Sequence, residues 1–183
     1  MIVTISGPPG SGKTTAARLL VERVGYDLIS AGERFREMAA QRKMNLSEFS
    51  LLAREDFSID RQLDEEILRL VRERIREGRN AVVDGRLTGQ MLKREGIDSL
   101  KVWIDCPLEV RAQRVACRDK KELEDARRDI LEREALERER YRSIYDLRLR
   151  DPHVYDIVID SSNQSPEEIV DIILEKMNES GSS

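Results

Sequence analysis

Short apolar runs alternate along the chain with longer stretches whose apolar residues recur every three or four positions. The runs lie around Ile2, Val3 and Ile5 and at residues 26–30, 80–84, 100–106 and 155–160. Runs of this length are typical of buried strands, and the stretches between them, such as residues 60–77, are typical of amphipathic helices. Five strands that alternate with helices predict an α/β fold, in which one parallel sheet is covered by helices on both faces, with no internal repeat.

The turn between the first strand and the first helix carries a phosphate-binding motif. Gly7, Gly12, Lys13 and Thr14 match G-x-x-x-x-G-K-[ST], and the helix formers of residues 14–24 follow at once. In such a loop the glycines let backbone N–H groups point at phosphate oxygens, the lysine reaches the β- and γ-phosphates, and the hydroxyl ligates magnesium. The motif predicts the three-layer P-loop NTPase fold, with a nucleoside triphosphate and its magnesium on Gly7, Pro8, Pro9, Gly10, Ser11, Gly12, Lys13, Thr14 and Thr15.

Polar residues stand at the ends of the second and third predicted strands. Ser30 ends the second strand, and Asp84 ends the third, directly before Gly85 and Arg86. Open parallel sheets bind ligands beyond the carboxyl ends of their strands, so these residues should border the same crevice as the P-loop. A carboxylate in this place can hold magnesium or its water shell, and Asp84 is the best placed acid for that role.

The balance of charges limits the function. The chain has 183 residues, of which 39% are hydrophobic and 37% charged, and its net charge is −4. This length suits one domain with inserts, and the negative balance argues against a generic nucleic-acid binder. We expect a cytoplasmic protein without a membrane partner, because no apolar run has the length of a signal or a membrane-spanning segment. Residues 119–150 alternate acids with arginines, which predicts charged helices that project from the core.

A P-loop alone does not separate kinases from switch GTPases, motor ATPases or chaperone-like ATPases. A kinase whose acceptor is an anion needs several cations that converge on the transferring phosphoryl group. Candidates follow the second strand, follow the third strand, and share one face of the helix before the charged stretch; they are Arg36, Arg86, Arg114 and Arg118. Further candidates within the charged stretch are Arg133, Arg138 and Arg140.

Together these motifs resemble the nucleoside monophosphate kinases and, within that group, the archaeal cytidylate kinases. In chain order they are the P-loop, Ser30-Ala31-Gly32 with Phe35-Arg36, Asp84-Gly85-Arg86, Arg114-x-x-x-Arg118, Glu132-Arg133-Glu134, Arg138-Glu139-Arg140-Tyr141 with Tyr145, and residues 155–163. The resemblance covers nearly the whole chain and implies an enzyme that uses ATP and Mg²⁺ to phosphorylate CMP or dCMP, as a monomer by family default.

The resemblance also implies a division of the chain. A single kinase domain would span residues 1–179, with a monophosphate-binding insert at about residues 30–78 and a lid at about residues 118–150. Residues 180–183 would form a disordered tail. Arg114 and Arg118 would approach the triphosphate, and the loop at residues 161–164 would lie beside its adenine. The lid arginines that would close over the transferring group and exclude water are Arg133, Arg138 and Arg140.

The acceptor would lie in the other half of the crevice. Arg36 and Arg86 would grip its α-phosphate, and Ser30 would lie near its ribose or base. Bacterial kinases of this type continue Asp-Gly-Arg with an acid, whereas this chain continues with Leu87 and Thr88. Thr88 is therefore a candidate base contact, and the acceptor residues as a set are Ser30, Arg36, Asp84, Arg86 and Thr88.

Other functions stay open at this point. A kinase for AMP or UMP would have a similar sequence pattern. Some adenylate-kinase-like proteins are instead ATPases in ribosome assembly, although these often shorten the monophosphate insert, which this chain keeps at full length. A regulatory GTPase is disfavoured, because the sequence has no N-K-x-D segment for reading guanine.

Overall fold

A computed structural model describes residues 1–146, 151 and 153–181 of the chain. The strands are β1 (Ile2–Ser6), β2 (Asp27–Ser30), β3 (Ala81–Asp84), β4 (Leu100–Asp105) and β5 (Ile157–Asp160). The helices are α1 (Lys13–Val24), α2 (Ala31–Gln41), α3 (Leu46–Glu55), α4 (Ser58–Arg76), α5 (Thr88–Arg94), α6 (Leu108–Asp119), α7 (Leu123–Tyr145) and α8 (Pro166–Gly181). The strands and helices thus alternate as the sequence predicts.

The strand that leads into the P-loop lies at the centre of the sheet. All strand pairs are parallel, and the order is β2-β3-β1-β4-β5. Asp84 at the end of β3 pairs in register with Ile5 on one side and with Ser30 on the other. The carboxyl ends of β1, β2 and β3 therefore meet at one edge, which confirms the predicted five-stranded parallel sheet and collects its polar strand ends in one place.

Helices cover both faces of the sheet, because side chains alternate along each strand. On one face, α1 and α8 pack against Val3 and Val102. On the other face, α4 and α5 pack against Ile2 and Val83. These two apolar clusters form the main core and fix the strand ends that carry the candidate site.

Two smaller apolar clusters lie outside the main core. In the segment α2–α4, Phe49 is fully buried among Ala39, Ala53 and Ile59. Ala112 and Val115 of α6 pack against Ala126 and Ile130 of α7 in the second cluster. The charged stretch therefore forms one long helix whose first half is held by α6, and residues 147–150, in the last part of that stretch, lie outside the described residues.

The helix ends follow their sequence signals. Asn45 and Glu48 form a capping box at the start of α3, and Ser165 and Glu168 make the same reciprocal hydrogen bonds before α8. Helix α8 continues to Gly181, two residues into the segment predicted as a disordered tail, and residues 182 and 183 lie outside the described part. Within the described residues, every helix is too short or too polar to cross a bilayer.

Candidate active site

The P-loop joins the end of β1 to the start of α1 and depends on its glycines. Gly10 and Gly12 adopt left-handed backbone conformations with φ angles of 78° and 90°, which side chains with a Cβ rarely adopt. A Cβ on Gly7 would lie 2.4 Å from the carbonyl oxygen of Ile104, so this glycine lets the loop pass close to β4. Gly12 caps α1 without any side-chain hydrogen bond, which leaves the N–H groups of the first helical turn for a bound anion.

Thr14 and Asp84 form a polar pair beside the loop. The Thr14 hydroxyl donates a hydrogen bond of 2.9 Å to Oδ2 of Asp84, and the Ser30 hydroxyl lies 3.4 Å from the same oxygen. Asp84 is only 3% exposed, yet its Oδ1 makes no hydrogen bond with any residue that the structure describes. A buried carboxylate oxygen without a hydrogen-bond partner, next to a hydroxyl, can bind a hard cation such as the magnesium ion that accompanies a nucleotide.

Three cationic side chains, Lys13, Arg86 and Arg133, lie close to one another beside the P-loop. Burial and the neighbouring Arg86 guanidinium lower the pKa of Lys13 from 10.5 to about 7, and Arg133 acts in the same direction. Asp84 and Glu137 raise this pKa and so oppose the shift. Two arginines and two acids thus act on Lys13, and the arginines act on its pKa more strongly than the acids do. An incoming phosphate would be stabilised by the three cations in a poorly solvated site.

Arg86 extends from the end of β3 to an acid on α7. Its Nη1 lies 2.8 Å from Oε2 of Glu137, and both side chains are almost fully buried, with 12% and 7% exposed. Burial lowers the pKa of Arg86, while the Glu137 carboxylate counteracts this. The other oxygen of Glu137 accepts a hydrogen bond of 3.0 Å from Nε of Arg133. One carboxylate therefore connects the arginine predicted to bind the acceptor with an arginine of the predicted lid.

Arg114 lies between the P-loop and the end of β5. Its Nη2 donates a hydrogen bond of 2.6 Å to the Ser161 carbonyl oxygen, and its Nη1 donates one of 3.0 Å to the Ser161 hydroxyl. That hydroxyl in turn donates a hydrogen bond of 2.9 Å to the Ser11 carbonyl oxygen. Arg114 thus links the P-loop to the loop predicted to lie beside the adenine.

Not every arginine predicted to contact phosphate is seen beside the P-loop in the structure. Arg36 is exposed on α2, and Arg138 is exposed on α7. Arg118 is exposed at the end of α6, where it pairs with the adjacent Asp119 at 2.7 Å. The side chain of Arg140 lies outside the described residues. Phosphate contacts by these four arginines stay predictions.

Thr88 lies inside the core at the start of α5. It is 3% exposed, and its hydroxyl shares a hydrogen bond of 3.2 Å with the Ser6 hydroxyl. The Ser6 hydroxyl also accepts a hydrogen bond from the backbone N–H of Gly89. The Thr88 hydroxyl thus already has a partner between β1 and α5, and a contact with the acceptor base stays a prediction.

Sequence reasoning missed two residues that organise the site, Arg111 and Glu137. Arg111 donates hydrogen bonds to the carbonyl oxygens of Cys106 and Pro9, at 2.9 and 3.2 Å, and pairs with Glu134 of α7 at 2.7 Å. It thus holds the back of the P-loop and α7 together. The available signal was weak: Arg111 precedes Ala112 on the buried face of α6, and Glu134 and Glu137 lie one turn apart among many exposed acids.

Comparisons with known sequences agree with the predicted family. Residues 2–163 match the cytidylate kinase-like family. A cytidylate kinase from Methanococcoides burtonii is 41% identical over 182 residues, which span 100% of this chain and 99% of the relative. A cytidylate kinase from Methanopyrus kandleri is 43% identical over 180 residues, which span 94% of this chain and 91% of the relative. These matches extend across both the P-loop and the charged stretch.

Solved structures agree with the fold. A shikimate kinase from Acinetobacter baumannii superposes with a TM-score of 0.59 at 21% identity, covering 98% of this chain and 93% of that chain. An uncharacterized protein from Eubacterium ventriosum superposes with a TM-score of 0.73 at 18% identity, covering 97% of this chain and 98% of that chain. At such identities the likeness supports the three-layer kinase fold and carries no information on the acceptor.

Proposed function

The chain belongs to the cytidylate kinase-like family, and from this membership we propose that it transfers the γ-phosphoryl group of ATP to CMP or dCMP, giving CDP or dCDP. The observation that carries the proposal is the convergence of Lys13, Arg86 and Arg133 beside the P-loop. Arg86 is a nearly buried cation just beyond the end of β3, where the family resemblance places the acceptor phosphate. A second, anionic substrate at this point explains it.

The reaction needs charge neutralisation more than a base. The acceptor phosphate is itself a nucleophile, so no side chain has to remove a proton from it. Lys13 would neutralise the oxygens of the donor, and Arg86 would hold the acceptor phosphate in line with the transferring group. Arg133 on α7 would complete the neutralisation, and α7 would help exclude water from the transferring group.

Magnesium fits this site. The buried, unpartnered Oδ1 of Asp84 and the adjacent Thr14 hydroxyl are both oxygen donors of the kind that the ion prefers. When bound, the ion neutralises charge on the oxygens of the triphosphate. Thr14 would bind it directly, and Asp84 would bind it through a water molecule while the protein chain fixes both side chains.

The choice of base is tested by offering acceptors in turn. The wild-type enzyme should be assayed with ATP and with CMP, dCMP, UMP, AMP or GMP, measuring ADP formation. We expect CMP and dCMP to give the highest kcat/KM, because a site built for one base leaves polar groups unpaired with another. Equal values for purine and pyrimidine acceptors would refute a cytidylate kinase and would leave a nucleoside monophosphate kinase.

The other functions predict different results in the same assay. A uridylate or adenylate kinase would prefer UMP or AMP. An ATPase of the ribosome-assembly type would release ADP at the same rate with and without any nucleotide acceptor. A cytoplasmic location and a monomeric state stay predictions from the sequence.

A further inference from the structure

Glu137 is an unusual acid within α7. Most charged side chains of this helix are exposed, whereas Glu137 is 5% exposed. Both of its oxygens face arginines: Oε1 accepts a hydrogen bond from Arg133 Nε at 3.0 Å, and Oε2 lies 2.8 Å from Arg86 Nη1. A carboxylate buried to this degree needs such partners, because an unpaired buried charge is strongly disfavoured.

The two arginines keep other nitrogens for a second anion. Arg86 contacts Glu137 through Nη1, while its Nη2 is buried and makes no hydrogen bond within the described part of the chain. Arg133 contacts Glu137 through Nε, so its contact with Glu137 does not require its two terminal nitrogens. The Arg133 side chain is 63% exposed. A guanidinium that is held at one nitrogen presents its remaining N–H groups in a fixed direction.

Electrostatics explain why an acid is needed here. Lys13, Arg86 and Arg133 are close enough to influence one another. Besides Glu137, the carboxylates that act on this group are Asp84, which raises the pKa of Lys13, and Glu134, which raises that of Arg86. Without Glu137, the positive charge of Arg133 would be brought toward Arg86 with no anion between them. Like charges repel strongly at short range in a poorly solvated site, so the two guanidinium groups would move apart and lose their alignment.

We propose that Glu137 is a positioning residue for the acceptor phosphate. It holds Arg86 and Arg133 by one nitrogen each, and it stays in place when the acceptor phosphate binds their remaining nitrogens. This role rests on the proposed kinase function and adds to it a residue that does not itself touch the substrate. The opposite role is a carboxylate that occupies the phosphate position and leaves when substrate arrives. The two roles predict opposite changes in acceptor affinity.

The test uses three variants of the full chain. Glu137→Gln keeps the shape of the side chain and removes its charge, Glu137→Asp keeps the charge on a shorter side chain, and Glu132→Gln makes the same charge change at an exposed position of α7. For each protein, kcat and KM are measured for CMP at saturating ATP and for ATP at saturating CMP. Melting temperatures and CMP dissociation constants, from calorimetry, are measured in parallel.

We expect Glu137→Gln to raise the KM and the dissociation constant of CMP on the order of 10- to 100-fold, because a misaligned arginine no longer matches the phosphate. The KM for ATP should change far less, since the P-loop backbone is untouched. Glu137→Asp should recover part of the CMP affinity, and Glu132→Gln should match the wild type. If Glu137→Gln does not fold, a selective rise of the KM for CMP in Glu137→Asp supports the proposal, and an unchanged KM overturns it.

Three other results would overturn it. Tighter CMP binding by Glu137→Gln would mean that the carboxylate is displaced by substrate. Equal increases of both KM values, together with a lower melting temperature and no recovery by Glu137→Asp, would mean a structural role only. A KM for CMP that is unchanged in Glu137→Gln would mean that the arginines do not depend on it. A wild type that binds CMP but transfers nothing would refute the kinase instead, and the dissociation constants would still test Glu137.

Discussion

The two halves of the proposed site are built in different ways. The donor half consists of residues 7–15 and the pair Thr14–Asp84, and most of it is one continuous loop that leads into the start of α1, where backbone N–H groups can bind a phosphate. The acceptor half consists of Ser30, Arg86, Arg133 and Glu137, which come from the ends of β2 and β3 and from α7. The first relies on backbone geometry, and the second relies on side chains brought together by the fold.

This difference has a consequence for function. The backbone at Gly10 and Gly12 already has the left-handed conformation of a phosphate-binding loop, so the donor half needs little rearrangement to bind its ligand. The acceptor half depends on an ion pair between β3 and α7, and it is complete only when α7 is docked. We therefore expect substitutions in the donor half to reduce turnover, and those in the acceptor half to reduce affinity for the monophosphate.

The largest effect is expected for Lys13→Ala in the donor half. Loss of the cation that neutralises the transferring phosphoryl group should lower kcat on the order of 1000-fold. The measurement is the steady-state rate with saturating ATP and CMP. The matched control is Lys176→Ala, at a lysine of α8 whose side chain is 38% exposed. Near-normal turnover of Lys13→Ala would contradict the role of the P-loop in phosphoryl transfer.

Arg86→Ala should produce the next largest effect, and it should act on the acceptor half. The variant removes the proposed phosphate ligand and leaves the buried Glu137 with one arginine fewer, so the KM for CMP should rise by about 100-fold. The KM for ATP should rise much less. Arg72→Ala, which removes an exposed arginine paired with Glu95, serves as the control. A larger change in the KM for ATP than in that for CMP would reverse the assignment of the two halves.

Asp84→Asn tests the point where the two halves meet. The amide keeps the size of the side chain but removes the negative charge next to the Thr14 hydroxyl. We expect the magnesium concentration for half-maximal rate to rise by roughly 10-fold. This is read from a magnesium titration at fixed ATP and CMP. A titration curve identical to that of the wild type would show that Asp84 does not support the ion.

Thr88→Val should have the smallest effect and would refine the boundary of the acceptor half. Valine keeps the shape of the side chain and removes the hydroxyl that is bonded to Ser6 in the core. The free energy of unfolding should fall by about 1 kcal/mol, as measured by urea denaturation. Unchanged stability together with an altered ratio of CMP to UMP turnover would instead place the Thr88 hydroxyl in contact with the base.

Local signals were enough to place the P-loop between a strand and a helix. Glycine spacing, the preceding apolar run and the following helix formers are all short-range properties, so Gly7 to Thr15 and the neighbouring Asp84 could be placed from sequence. The strands could be placed for the same reason, because a run such as residues 100–106 is apolar enough to be buried wherever the chain folds.

The acceptor half was harder to predict, because its residues are chosen by tertiary contacts. Glu137 lies in a helix where acids and arginines alternate, and nothing local separates it from the exposed Glu132 or Glu139. Its burial depends on the distance from α7 to Arg86, which only the complete fold sets. Arg111 was missed for a similar reason: helical spacing gave no indication that its partners would be the P-loop carbonyl of Pro9 and Glu134.

The most direct test of a two-nucleotide site is to follow the phosphoryl group itself. The wild-type enzyme would be incubated with magnesium, CMP and ATP labelled on its γ-phosphate, and the products would be separated. If the donor half and the acceptor half act together in phosphoryl transfer, the label should appear in CDP in proportion to the ADP formed. Label found only in inorganic phosphate, at a rate independent of CMP, would contradict the proposed transfer.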